Sequence, residues 1–293
     1  MPLTWYPHLL RATPEERQNR QLLGEGYAIE WYDHIQSDRC KHMSEAAFTL
    51  IAPYYDELMH NVPYDFWVRY VHELVERYRL KVHSILDLAC GTGNVAMRLA
   101  RMGYEVWGVD ISAPMVAEAQ RKAQEAGLHI HYEVQDAAQL QLPRQFDLVL
   151  SLFDSLNYIL SPEKLLEAFR RVYAHLQSGG AFIFDVNTEY ALREGLFDQD
   201  NLGSRRRLLY RWKSRYDEET RICTVEMEFW LRDEKGDVSQ HFVEVHRQRA
   251  YTLDELNAML RGAGFDYARA FHAYTLRPPN ATTDRAFFVA TKW

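Results

Sequence analysis

Cysteine is scarce in this chain. Its 293 residues include three, Cys40, Cys90 and Cys223, far apart in sequence. An odd, sparse count offers no disulfide framework and no CxxC metal pair. Long apolar runs are also missing: none reaches the roughly 18 residues that a membrane span requires. The opening MPLTWYPHLLRATPEERQNR lacks the charged-then-apolar order of a secretory leader. These absences make a soluble, cytoplasmic protein the expectation, with no membrane partner. Basic charge is in deficit too, with 34 Lys and Arg against 41 Asp and Glu and a formal net charge of −7. Binding through many phosphates calls for a basic face, so nucleic acid is not the expected partner. No internal repeat and no low-complexity tract interrupts the chain. Oligomeric state leaves no mark in the pattern.

What is present suits a large core, since 47% of residues are hydrophobic. From residue 82 strand and helix patterns alternate. HSILDLA, YEVWGVD, HIHYEVQ, FDLVLSLF and GAFIFDVN read as five strands. Between the first two, Val95, Ala96, Leu99 and Met102 form one helical stripe. Ser112 caps a helix running to about Gly127, and Ser161-Pro162-Glu163 opens another with Leu165, Leu166, Phe169, Val172 and Leu176 on its buried face. Strands spaced this way imply βαβ units, and nearly all-apolar strands suit a parallel sheet covered on both faces. The rhythm breaks over residues 204–251, where three strand-like runs joined by DEE and DEKGD predict an antiparallel cap inserted in the α/β plan. Thr252-x-x-Glu255 then starts a helix ending near Gly264, and two strands close the chain. Residues 1–43 are polar, with Trp5, Tyr6, Trp31 and Tyr32 among charges and a capping-box start at Thr13-Pro14-Glu15-Glu16. They read as an arm on the surface or as a lid. The expected organisation is therefore an arm or lid at 1–43, a main domain at 44–203 and 252–293, and the cap at 204–251.

One stretch carries chemistry. In ILDLACGTGNVAMRLA an apolar strand ends in an acid, Gly91 and Gly93 follow, and a helix begins. A bare backbone between strand and helix lets a ligand come close. No GK[ST] follows, so this is not a nucleotide-phosphate loop of the Walker type. GTGNVA gives G-x-G-x-x-A, which some dinucleotide sites tolerate. Asp110, seventeen residues past Gly93 at the tip of the next strand, can accept from both hydroxyls of a ribose. A nicotinamide protein would place an acid similarly. Asp136, after the third strand, can receive an adenine amino group, and Asp87 precedes the glycines.

LDLACGTG, VWGVDIS, VQDAAQL and FDLVLSLFDSLNYI stand in the order and spacing of the motifs of class I S-adenosylmethionine-dependent methyltransferases, which the chain resembles over about residues 44–293. YYDELM, VPYDFW and LFDSLNYI look like the bacterial small-molecule subgroup that adds an antiparallel cap after the fifth strand. The resemblance implies a Rossmann-like, mostly parallel seven-stranded sheet with a C-terminal β-hairpin, and S-adenosyl-L-methionine as cofactor. It implies that Asp87, Ala89, Gly91 and Gly93 lie under the methionine part. Asp110 would take the ribose hydroxyls, Ile111 and Met115 would pack by the adenine, and Asp136 and Ala137 would hold its edge. Tyr55, Trp67 and Arg69 would cover the cofactor from N-terminal helices, and Leu152 and Phe153 would sit where the fourth strand opens toward the sulfonium. Asp154, Asn157 and Tyr158 are the candidate substrate-positioning residues, with Asp154 the first candidate base. In-line displacement at a sulfonium carbon relies on alignment, and a base is needed only if the nucleophile arrives protonated.

Plainer roles compete. Asp87 could simply cap the turn, Met115 could be core, Tyr55 and Trp67 could be helix packing, and DSLNY could be a loop. His129-x-His131 lacks a third ligand, so no metal is expected. His241 and His246, five apart on a strand, face opposite sides. Arg205-Arg206-Arg207 reads as a solvated strand start rather than as a phosphate clamp, and it leaves an anionic substrate open. Neither [N/D]PP[Y/F] at the fourth strand nor a Pro-Cys nucleophile motif is present, which again weighs against nucleic acid. The expected activity is methyl transfer to N or O of a small molecule. The alternatives are a nicotinamide oxidoreductase, a non-catalytic S-adenosylmethionine-binding protein and an RNA methyltransferase.

Overall fold

A computed structural model describes residues 41–44 and 47–293. The expected helix near Thr13, the aromatic residues of the first 43 positions and Cys40 lie outside the described residues. The chain forms two compact units. The larger comprises Pro63–Glu194, Tyr216–Cys223 and Arg247–Trp293, and the smaller comprises the chain up to Val62 with Gly195–Arg215 and Thr224–His246.

The larger unit is built on a seven-stranded sheet. Its parallel strands are β2 (Ser84–Leu88), β3 (Glu105–Asp110), β4 (His131–Val134), β5 (Phe146–Ser151) and β6 (Leu176–Asn187). β12 (Arg285–Thr291) runs antiparallel to β6, and β11 (Tyr267–His272) antiparallel to β12. The order is β11-β12-β6-β5-β2-β3-β4. This is the expected Rossmann-like sheet with its closing hairpin. The chain reverses direction of travel between β2 and β5, and ligands of open α/β sheets bind outside the strand carboxyl ends at such a switch point.

Sequence explains the elements. Every residue of β2 and all seven of β12 are buried, as strands covered on both faces require. The helices are α2 (Tyr64–Arg77), α3 (Asn94–Arg101), α4 (Ala113–Glu125), α5 (Pro162–Ala174), α6 (Glu189–Arg193) and α7 (Leu253–Ala263). The hydroxyls of Ser112 and Ser161 accept from the amides of Met115 and Lys164, with proline inside the first turn. Thr252 and Glu255 form a full capping box, and Gly264 ends α7 in the left-handed region at φ 109°. The core is aromatic. Phe184 and Phe288 stack at 4.9 Å, and Phe169 tilts onto Phe184 at 5.5 Å. Burying each such ring stabilises by about 1.5–3 kcal/mol.

The smaller unit holds most of a five-stranded sheet in the order β1-β10-β9-β8-β7. Its strands are β1 (Lys41–Ser44), β7 (Gln199–Asp200), β8 (Leu208–Asp217), β9 (Ile222–Arg232) and β10 (Val238–Arg249). The ends of β8, β9 and β10 count with the larger unit. β8, β9 and β10 are the expected meander. β7 adds antiparallel to β8, and β1 pairs parallel with β10, Lys41 opposite His241. Neither flanking strand is foreseen by the pattern, because four residues and two residues carry no readable period. A 3-10 turn at Ala52–Tyr54 leads into α1 (Tyr55–Leu58).

One carboxylate organises this unit. Glu244 is fully buried and accepts the amides of Phe48, Thr49, Leu50 and Ile51 at 2.6–3.1 Å, with the His246 ring nitrogen at 2.9 Å. His246 also meets the Phe48 ring edge-on at 4.7 Å. On the opposite face of β10, His241 bonds Glu228 at 2.8 Å and stacks on Trp230. The two histidines thus point to opposite sides, as their spacing predicts. No helix among the described residues is long and apolar enough to cross a membrane.

Candidate functional site

The turn after β2 is forced into an unusual shape. Ala89, Gly91 and Gly93 have φ of 62°, 54° and 77°. Gly91 has nothing within 4 Å of where a Cβ would stand among the described residues, so its side is open there. Gly93 is different: a Cβ there would run into the Tyr132 hydroxyl and lie 3.1 Å from the Ala119 Cβ. One glycine keeps a surface bare, and the other makes room for packing from β4 and α4.

Asp110 ends β3 and ties that turn down. Its Oδ2 accepts from the Gly91 amide and its Oδ1 from the Ser112 amide, both at 2.8 Å. Burial raises its pKa, against the pull of those amides. Asp87 is 2% exposed. The Ala96 amide bonds it, but Oδ2 has no partner among the described residues. Burial, and after that the nearby Asp110 charge, push its pKa up to about 7 against the Ala96 bond. A buried carboxylate left this way is costly until something cationic or a donor meets it. Burial also pushes the Cys90 thiol up, so Cys90 is not an activated nucleophile.

The strand tips beyond Asp110 are apolar and open. Ile111 is 69% exposed and Val134, register partner of Asp110, is 49% exposed. Met115 is buried. Asp136 caps a short 3-10 turn that starts at Ala137, accepting from the Ala138 amide at 2.8 Å, and both residues are half-buried.

After β5 the backbone turns through two left-handed residues that are not glycine, Phe153 at φ 64° and Asp154 at φ 52°. Such geometry persists only where neighbours over-determine it. Here they do. The Phe153 ring lies flat on Trp67 at 3.9 Å, with Tyr64 at 5.1 Å and Leu152 buried beside it in sequence. The Asp154 carboxylate is buried, with Oδ1 on the Arg285 guanidinium at 2.6 Å and Oδ2 on the Gln248 amide at 2.6 Å. Arg285 also pairs with Asp185, bonds Asn187 at 3.0 Å and covers the Trp67 ring at 5.5 Å. Asn157 is buried and spends its amide on the Asn187 and Arg249 carbonyls, while its oxygen accepts from the Asn187 amide. Tyr158 is half-buried in the following turn.

The larger unit thus gathers Asp87, Ala89, Gly91, Gly93 and Asp110 at one turn, Ile111, Asp136 and Ala137 at the neighbouring strand tips, and Trp67 with Phe153 after β5. Arg69 is not brought to Trp67. It is exposed, and two residues along a helix is about 200° round the axis. Tyr55 belongs to the smaller unit, half-buried with its ring edge-on to Phe48.

Sequence reasoning passed over Arg285, Asp185 and Gln248. A signal existed. Asp185 and Arg285 are charges inside strand patterns otherwise apolar, and buried charges of opposite sign call for each other.

A bare, left-handed turn, an acid at the tip of the neighbouring strand and an open apolar ledge define a Rossmann-like domain suited to an adenosyl ligand. The unpartnered Asp87 oxygen and the open side of Gly91 fit such a ligand with a cationic amino end. Comparison with known proteins gives the family. The model described as "Methyltransferase domain" matches residues 85–180. A Geobacillus sp. (strain WCH70) protein named as a candidate methyltransferase is 34% identical over 242 residues, covering 82% of this chain and 98% of its own. YqeM of Bacillus subtilis (strain 168), likewise named as a candidate methyltransferase, is 34% identical over 82% of this chain and 95% of its own. An S-adenosylmethionine-dependent methyltransferase structure from Clostridium acetobutylicum ATCC 824 superposes with a TM-score of 0.73 at 29% identity, covering 83% of this chain and 97% of its own. The chain belongs to the class I S-adenosylmethionine-dependent methyltransferases.

Proposed function

We propose that this protein transfers a methyl group from S-adenosyl-L-methionine to nitrogen or oxygen of a small molecule. The observation that carries the reading is the glycine turn, open at Gly91, beside a buried Asp87 oxygen that lacks a partner. Bound there, S-adenosylmethionine would supply an electrophilic methyl group on a sulfonium. Asp87 accepts from its amino end, and Asp110 takes the ribose hydroxyls. Ile111 and Val134 offer the purine an apolar ledge, and Asp136 and Ala137 meet its edge. Phe153 supplies an aromatic wall after β5, and Trp67 holds that wall flat. Asp154 has both oxygens committed, so its role is to fix the Phe153 turn rather than to remove a proton. Asn157 does the same for the strand ends it bridges. Alignment then supplies most of the rate.

The small-molecule class draws support from relatives. A Streptomyces fradiae enzyme named dTDP-3-amino-3,6-dideoxy-alpha-D-glucopyranose N,N-dimethyltransferase is 35% identical over 112 residues, or 38% of this chain. The net charge of −7 points the same way.

Calorimetric titration with S-adenosylmethionine, S-adenosylhomocysteine and NADH tests the cofactor. Binding of an adenosyl ligand with NADH silent is expected, and NADH binding alone would overturn the reading. A substrate screen that detects S-adenosylhomocysteine release then tests the transfer.

A further inference from the structure

The smaller unit carries a cavity of about 320 Å3 whose lining includes Glu57, His60, Arg206, Arg207, Leu208 and Tyr210. That is the size of a small-ligand site. Its polar groups satisfy one another only in part. The His60 Nδ1 lies 2.9 Å from the Glu57 carbonyl, so that nitrogen carries the proton and donates. Arg206 Nη1 stands 3.4 Å from the same nitrogen. While the Nδ1 proton is on the Glu57 carbonyl, that nitrogen has no lone pair to offer Arg206, so His60 does not serve as an acceptor for the guanidinium. Arg207 lies 3.6 Å from the Glu57 carboxylate and over the Tyr54 ring at 5.7 Å. Two guanidinium groups and one carboxylate thus line the cavity, an excess of positive charge in a chain of net −7.

The wall behind them is fixed. Asn201 is buried, its oxygen accepting from the Tyr210 amide at 2.7 Å and its amide donating to the Leu208 carbonyl at 3.0 Å. Leu208 and Tyr210 are buried as well and give the cavity an apolar side.

We propose that this cavity binds the phosphoryl group of a small organic phosphate, with Arg206 and Arg207 as donors and the organic part against Leu208 and Tyr210. Guanidinium forks suit phosphate oxygens, and charge-assisted bonds are the stronger class. The cavity exceeds what one phosphate needs, which selects an ester over the free ion.

The test is calorimetry on the full chain with phenyl phosphate, inorganic phosphate and phenol. Phenyl phosphate should bind about tenfold more tightly than inorganic phosphate, with phenol silent. Equal affinity for the two phosphates would overturn the ester assignment, and failure of both to bind would overturn the site. Arg206→Gln with Arg207→Gln should weaken phenyl phosphate about tenfold or more. Glu57→Gln removes the competing carboxylate and should tighten it severalfold, a gain that misfolding cannot mimic. Unchanged affinity in both variants contradicts the proposal. S-adenosylmethionine titrated into the same samples reports separately on the methyl-transfer reading.

Discussion

Glu244 and Asp87 are both buried carboxylates, and they behave in opposite ways. Burial pushes Glu244 up, but its bond to His246 and the amides of Ile51 and Leu50 outweigh that, and its pKa is lowered. Asp87 has the Ala96 amide and an unpartnered oxygen, and its pKa rises to about 7. The difference is not depth but satisfaction. In this pair the carboxylate with a full set of partners is a structural anchor, and the one with a bare oxygen retains capacity to accept from a ligand. Asp154 falls with Glu244, since both its oxygens are engaged.

The largest effect should come from removing an anchor. Glu244→Ala strips four amides and an imidazole of their shared acceptor, and about 3–5 kcal/mol of stability should go, measured by urea unfolding. The sign with pH follows. A lowered pKa gives stability that is present above the unfolded value near 4.5 and lost as pH falls through the folded one. Asp87→Asn should move the other way. A raised pKa means stability is greatest below the unfolded value of 3.8 and declines as pH rises through about 7. At pH 8 the Asn variant without ligand should therefore be more stable than the parent, by about 2–4 kcal/mol. A less stable variant would place Asp87 with the anchors.

Arg285→Met leaves Asp154 and Asp185 without their shared cation. It should weaken S-adenosylmethionine binding, by about tenfold, as well as stability, because the Phe153 turn depends on it. Asp154→Asn keeps the Gln248 and Arg285 contacts in part. It should reduce turnover severalfold and leave the pH profile of kcat unmoved, whereas loss of a base would flatten that profile.

Much of this was legible from sequence. ILDLACGTGNVAMRLA fixes its own strand, turn and helix locally, because glycine and a capped helix start are short-range signals. Asp110 was legible for the same reason, as the acid that ends an apolar strand. The Arg285 cluster was not read, because Arg285, Asp154, Asp185 and Gln248 come from segments up to 131 residues apart. The sheet order, β5 beside β6 beside β12, brings Arg285, Asp154 and Asp185 together, and Gln248 comes from the end of β10. β1 and β7 escaped because short edge strands owe their shape to their neighbours. Arg69 shows the converse. The family resemblance implied it, but the helix phase turns it outward.

The central claim is that Asp87 waits for the cofactor. Calorimetric titration of S-adenosylmethionine into the parent and Asp87→Asn at pH 8 tests it most directly. The account predicts binding by the parent and at least about tenfold weaker binding by the variant. Equal affinity in the two proteins would contradict it.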